Sequence, residues 1–147
     1  MLLEDLENAK KSLREKNLTL SIAKDGRIIF ETASHGISGF LEAIEKFGEK
    51  LCGASVADKI CGRAIALLCV YAKVRAVYAM ILSRRAKEVL ETYNVYHEWE
   101  KLVETILDMH KRGVCPFEKL ASKISSPKDS YEKLLGLYKN LKHKTQL

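Results

Sequence analysis

Apolar positions recur along this chain with two different periods, and the changes of period divide it into elements. Residues 2–16 place Leu2, Leu6, Ala9 and Leu13 at helical spacing among charges, with Asn17 as a stop, which predicts an amphipathic opening helix. Residues 18–24 and 27–31 read as strands joined by Asp25-Gly26, a turn suited to positive φ at both central positions. Ile37, Phe40, Leu41, Ile44 and Phe47 then form a one-faced helix ending near Gly48. Residues 51–57 lead into a central helix that opens over 58–63 and continues through the unbroken apolar run 64–72. Residues 74–79 read as a buried strand. A helix capped by Ser83 follows, carries Ala86, Val89, Leu90 and Tyr93 inward, and stops at Asn94. Residues 95–99 alternate as a fourth strand, and Leu102, Val103, Ile106 and Leu107 predict a helix ending near Gly113. Pro116 starts another helix, residues 125–127 break it, and Leu134, Leu137, Tyr138 and Leu141 mark a last amphipathic helix.

The order helix, strand, helix, strand points to parallel pairing, because parallel neighbours need a crossover element between them. With 147 residues, 47% hydrophobic and 30% charged, one α/β domain spanning 1–147 is expected. No apolar segment approaches the ~20 residues that cross a bilayer, and the acidic start (Glu4, Asp5) is unlike a signal peptide, so a cytoplasmic protein without membrane contact is expected. The four cysteines form no C-x-x-C pair, and Cys61 and Cys69 lie where small hydrophobes belong. Neither a disulfide framework nor a structural metal site is expected.

Charge changes the picture more than composition does. Residues 58–87 hold seven basic side chains against the single acid Asp58, which equals the net charge of the whole chain, +6. The apolar centre of the sequence is also its basic centre, and a field of that sign favours anionic partners.

Three constellations within this frame carry candidate chemistry. Lys59 and Arg63 lie four apart, on one face of the expected helix, where its dipole and unbonded N–H groups already supply positive potential. With Asp58 at the cap, that arrangement makes sense if an anion occupies the helix start. Gly62 strengthens it, since a helical glycine often marks close approach by a ligand or another backbone. The second constellation is Ser83-Arg84-Arg85, a capping hydroxyl followed by guanidinium groups suited to phosphate or carboxylate. Helices following parallel strands begin at the strands' carboxyl edge, so the two starts can share one ligand. The third is Cys115, the candidate nucleophile, preceding Pro116 with Lys111, Arg112 and Lys119 nearby and His110 upstream. His35 and His97 read as surface or strand histidines.

The element order, together with residues 58–64 (DKICGRA), 77–79 (VYA) and 115–118 (CPFE), resembles a prokaryotic family of uncharacterised domains whose fold is similar to that of cytidine deaminases. The likeness covers roughly residues 18–122, leaving 1–17 and 128–147 as added helices. It implies a three-layer mixed sheet with an N-terminal hairpin and helices on both faces. In the deaminases, His/Cys-x-Glu opens the central helix and Pro-Cys-x-x-Cys the next, holding a zinc-activated water with the glutamate as proton shuttle. Here Asp58-Lys59-Ile60 and Ser83-Arg84-Arg85-Ala86 stand in their place, so zinc-dependent deamination is not expected.

The leading expectation is a zinc-free and cofactor-free cleft that binds a small anionic, nucleotide-like ligand through Lys59, Gly62, Arg63, Ser83 and Arg84. Asp58, Lys59 or Cys115 are its candidates for chemistry. The alternative is a non-catalytic module that binds RNA or a protein through the basic surface and the added helices, although no interleaved basic-aromatic motif is present. A cysteine enzyme built on Cys115 is the third reading, and whether the chain self-associates is left open.

Overall fold

The computed structural model describes residues 3–107 and 113–145. Helix α1 (Glu4–Glu15) is followed by the hairpin of β1 (Leu20–Lys24) and β2 (Arg27–Thr32). Its turn residues Asp25 and Gly26 have φ of 52° and 83°, the doubly positive backbone that this dipeptide favours. Both of their N–H groups donate to the Asp5 carboxylate, at 3.0 and 2.8 Å, which ties the turn to α1. Helix α2 (Ser38–Phe47) leads through a short 3-10 turn to β3 (Ser55–Cys61), and α3 (Arg63–Tyr71), β4 (Ala76–Ser83), α4 (Arg84–Thr92) and β5 (Tyr96–Val103) alternate after it. Two helices close the chain, the short α5 (Pro116–Ala121) and α6 (Ser130–Thr145).

The five strands form one mixed sheet in the order β2-β1-β3-β4-β5, antiparallel from β2 to β3 and parallel from β3 to β5. One face is covered by α1, whose Leu6, Ala9 and Leu13 pack on Ala23, Ala57, Ala76 and Tyr78. The larger core joins Ile22, Val56, Val77 and Ala79 of the sheet to α2, α3, α4 and the C-terminal helices through Phe40, Leu67, Leu68, Leu90, Ala121 and Leu134. The architecture is therefore α/β, a mixed sheet with helices on both sides. No helix among the described residues is long and apolar enough to cross a membrane.

Two sequence expectations are corrected here. Residues 58–61 are not the first turn of the central helix: they complete β3, and the helix starts at Arg63 with Gly62 as its N-cap. β3 lies between β1 and β4 and buries Ser55 through Asp58 on both faces, so its sequence lacks the polar alternation that reveals a half-exposed strand. Lys59 and Arg63 thus belong to different elements and share no helix face. Secondly, Leu102 and Val103 are not helical. They extend β5, held in the ladder by Leu82 and Ser83 of β4, and Leu107 forms an isolated bridge with Val114. His110, Lys111 and Arg112 lie outside the described residues.

Candidate functional site

Because β3 and β4 are parallel neighbours, α3 and α4 both begin at the same edge of the sheet. The first turn of α3 contains no acidic residue, and Gly62 supplies no capping side chain, so the amides of Arg63 and Ala64 need an acceptor from elsewhere. Glu118 of α5 provides it. Arg63 N–H donates to its Oε1 at 2.7 Å and Ala64 N–H to its Oε2 at 2.8 Å. The anion that the sequence calls for at this helix start is the chain's own carboxylate.

Arg63 completes a reciprocal contact. Its Nε donates to the Ala121 carbonyl at 2.9 Å and its Nη2 to the Ile124 carbonyl at 2.8 Å, so a guanidinium caps the end of α5 while a carboxylate of α5 caps the start of α3. Each charge meets the end of the helix dipole that stabilises it. Gly62 is required here for space rather than for backbone freedom. Its φ of −98° and ψ of −176° suit any residue, but a Cβ there would stand 2.3 Å from Glu118 Oε1. Burial pushes the Glu118 carboxyl above its ordinary pKa, against the two backbone amides and the Arg63 and Arg85 charges, which favour the carboxylate.

Beside this lock, Ser83 is the buried N-cap of α4, with its Oγ accepting from Ala86 N–H at 3.1 Å. Arg84 turns outward to an ion pair with Glu104. A cleft of about 190 Å³ opens between the start of α4, the segment after β5 and α5. Its walls include Ser83, Arg85, Glu104, Glu118, Lys119 and Ser122. Among the described residues Arg85 and Lys119 form no ion pair.

Of the expected ligand contacts Lys59, Gly62, Arg63, Ser83 and Arg84, only Ser83 lines this cleft, joined there by its neighbour Arg85 and by Lys119. Gly62 and Arg63 stand behind Glu118. Asp58 is buried in β3 between Leu20 and Ala79, and burial raises its pKa from 3.8 to about 8 against the backbone amides of Ile60 and Lys59. Lys59 is exposed on the same strand. Cys115 is the half-buried N-cap of α5, and its carbonyl accepts from Glu118 and Lys119 N–H at 2.9 and 3.0 Å. His97 sits in β5 stacked on Trp99, and His35 is exposed before Gly36.

Glu118 and Arg85 are the residues that reasoning from sequence underweighted. Glu118 follows Pro116 at the third position of a helix, where a glutamate ordinarily caps its own helix, so nothing local marked it as the cap of another. Among the described residues no group of three or more His, Cys, Asp or Glu side chains is placed to hold a metal.

A family model described as TM1506, a domain of unknown function (DUF1893), matches residues 8–136. The crystal structure of a DUF1893 family protein (TM1506) from Thermotoga maritima is similar over 90% of this chain and 88% of that one, with a TM-score of 0.83 and 27% identity. Acinetobacter baumannii RibD (form 2) matches at a TM-score of 0.48 and 18% identity, covering 84% of this chain and 38% of that one. A diaminohydroxyphosphoribosylaminopyrimidine deaminase/5-amino-6-(5-phosphoribosylamino)uracil reductase from Thermotoga maritima matches at 0.46 and 17%, covering 83% and 38%. No curated protein matches the chain.

Proposed function

The chain belongs to the DUF1893 family, and from that premise we propose that it binds a small anionic ligand in the cleft at the start of α4. The observation that carries this reading is the pairing of Arg85 and Lys119 on one small cleft beside the Ser83 hydroxyl, with no ion pair to either cation among the described residues. Guanidinium and ammonium groups beside a hydroxyl at a helix start are suited to phosphate oxygens. Size limits the ligand. At about 190 Å³ the cleft falls below the ~300–1,000 Å³ of sites for drug-sized molecules. It admits the phosphate-bearing end of a nucleotide-like molecule or a whole small metabolite.

In this reading Ser83, Arg85 and Lys119 touch the ligand. Gly62 and Arg63 hold the wall through Glu118, and Arg84 positions Glu104 at the rim. Asp58 and Cys115 support the sheet and the start of α5 without contacting the ligand, and Lys59 lies outside the cleft.

A thermal-shift series with nucleoside monophosphates and phosphorylated sugars tests this reading. Stabilisation that disappears in Arg85→Ala and Lys119→Ala but persists in Lys59→Ala is the expected result. Failure of every phosphate compound to stabilise the wild type would overturn the reading. Salt-dependent RNA binding that survives Arg85→Ala would favour a nucleic-acid-binding surface instead.

A further inference from the structure

We propose that the ligand of this cleft is zwitterionic, carrying an amine a few bonds from its anionic group, and that Glu118 is the residue selecting for the amine. The inference rests on the binding reading above and narrows its ligand class. The cleft is not a uniformly positive pocket: its walls carry two basic side chains, Arg85 and Lys119, and two acidic ones, Glu104 and Glu118. A simple dianion drawn to the cations also meets these two carboxylates, whereas a molecule with charge of both signs matches both kinds of side chain. A volume of about 190 Å³ suits a small molecule carrying both charges.

Glu118 is fitted for this second contact in a way that Glu104 is not. Glu104 is exposed and already paired with Arg84. Glu118 is fixed by the Arg63 and Ala64 amides, one on each oxygen, so its orientation is set before any ligand arrives. A carboxylate has about four lone-pair sites and these amides use two, leaving acceptor capacity for a ligand N–H. Burial disfavours the carboxylate charge, and an ammonium brought to it offsets that penalty. Ser83 contributes from the neutral side: its Oγ accepts from Ala86 N–H, and its own hydrogen is available to a ligand oxygen. Arg85, whose charge acts on Glu118, stands where it can hold the anionic end.

Titration calorimetry at pH 7 with three probes tests the inference: inorganic phosphate, glycerol 3-phosphate and O-phosphorylethanolamine. The last two compare a hydroxyl-bearing with an amine-bearing phosphate of similar size. The expected result is at least tenfold tighter binding of phosphorylethanolamine by the wild type, a preference that collapses in Glu118→Gln. Arg85→Ala should weaken both organic phosphates by a similar factor. If glycerol 3-phosphate binds as tightly as the amine, or if Glu118→Gln keeps the preference, the zwitterion inference falls while the anion-binding reading stands. If no phosphate compound binds, both fall together. The wild-type comparison decides the ligand class even if Glu118→Gln does not fold.

Discussion

Replacing Gly62 with alanine should destabilise the protein mainly through a residue 56 positions away, Glu118. The added Cβ would lie 2.3 Å from Oε1 and 2.5 Å from Cδ of that side chain, too close for any real contact. What it meets is the end of a flexible side chain, so the carboxylate moves and the backbone holds. The cost is then the loss of the 2.7 and 2.8 Å bonds to Arg63 and Ala64 N–H. At ~1.5 kcal/mol each, the lower end for bonds to a charged group, they contribute about 3 kcal/mol. Alanine is also a poorer N-cap than glycine, which adds about 1 kcal/mol. Gly62→Ala alone should therefore cost about 4 kcal/mol and Glu118→Ala about 3 kcal/mol. In the double variant the carboxylate is already gone and only the cap term is added, giving about 4 kcal/mol in place of the additive ~7. Urea unfolding of the four proteins measures this, and the coupling of about 3 kcal/mol is the quantity to read. Additivity within ~0.5 kcal/mol would refute the lock between α3 and α5.

Two further outcomes follow from the same geometry. Asp58 titrates at about 8 in the fold against 3.8 ordinarily, so the folded state holds its proton more tightly than the unfolded chain does. Stability from this group is fully present below pH ~4 and is lost as pH rises to ~8, by on the order of 5 kcal/mol. In Asp58→Asn this decline should vanish from urea unfolding measured at pH 4.5, 6 and 8, and equal slopes for the two proteins would count against a buried neutral carboxyl. Arg63→Lys should loosen the end of α5, because one ammonium cannot span the Ala121 and Ile124 carbonyls that Nε and Nη2 reach together. Hydrogen exchange should quicken over 119–126 while the hairpin at 20–32 is unchanged, with a loss of ~1–2 kcal/mol; unchanged exchange at 119–126 would show that the fork is not needed.

Much of the fold was legible in the chain because its signals are local. The Asp25-Gly26 turn, the helical spacing of Leu6, Ala9 and Leu13, the Ser83 cap and the Pro116 start each act within a few residues, and each stands where its chemistry places it. The central strand was not legible. Burial on both faces removes the alternation that marks a strand, and Asp58, the one charge in its buried part, imitates a helix cap. The end of β5 was missed for a related reason: its pairing with Leu82 and Ser83 overrode a pattern that also fits a helix.

For the site, the excess of basic residues around Arg63 and at Arg84-Arg85 called for negative partners. Charge alone raises that need, while the spacing of Lys59 and Arg63 misplaced them on one helix. Tertiary structure alone decided which partners answer it, because Glu118 reaches Arg63 across 55 residues and Arg84 reaches Glu104 across 20. Such long-range contacts leave no periodic trace in the chain. They turn an apparently open anion site at α3 into a closed internal cap, and they leave Arg85 and Lys119, beside Ser83, facing the cleft.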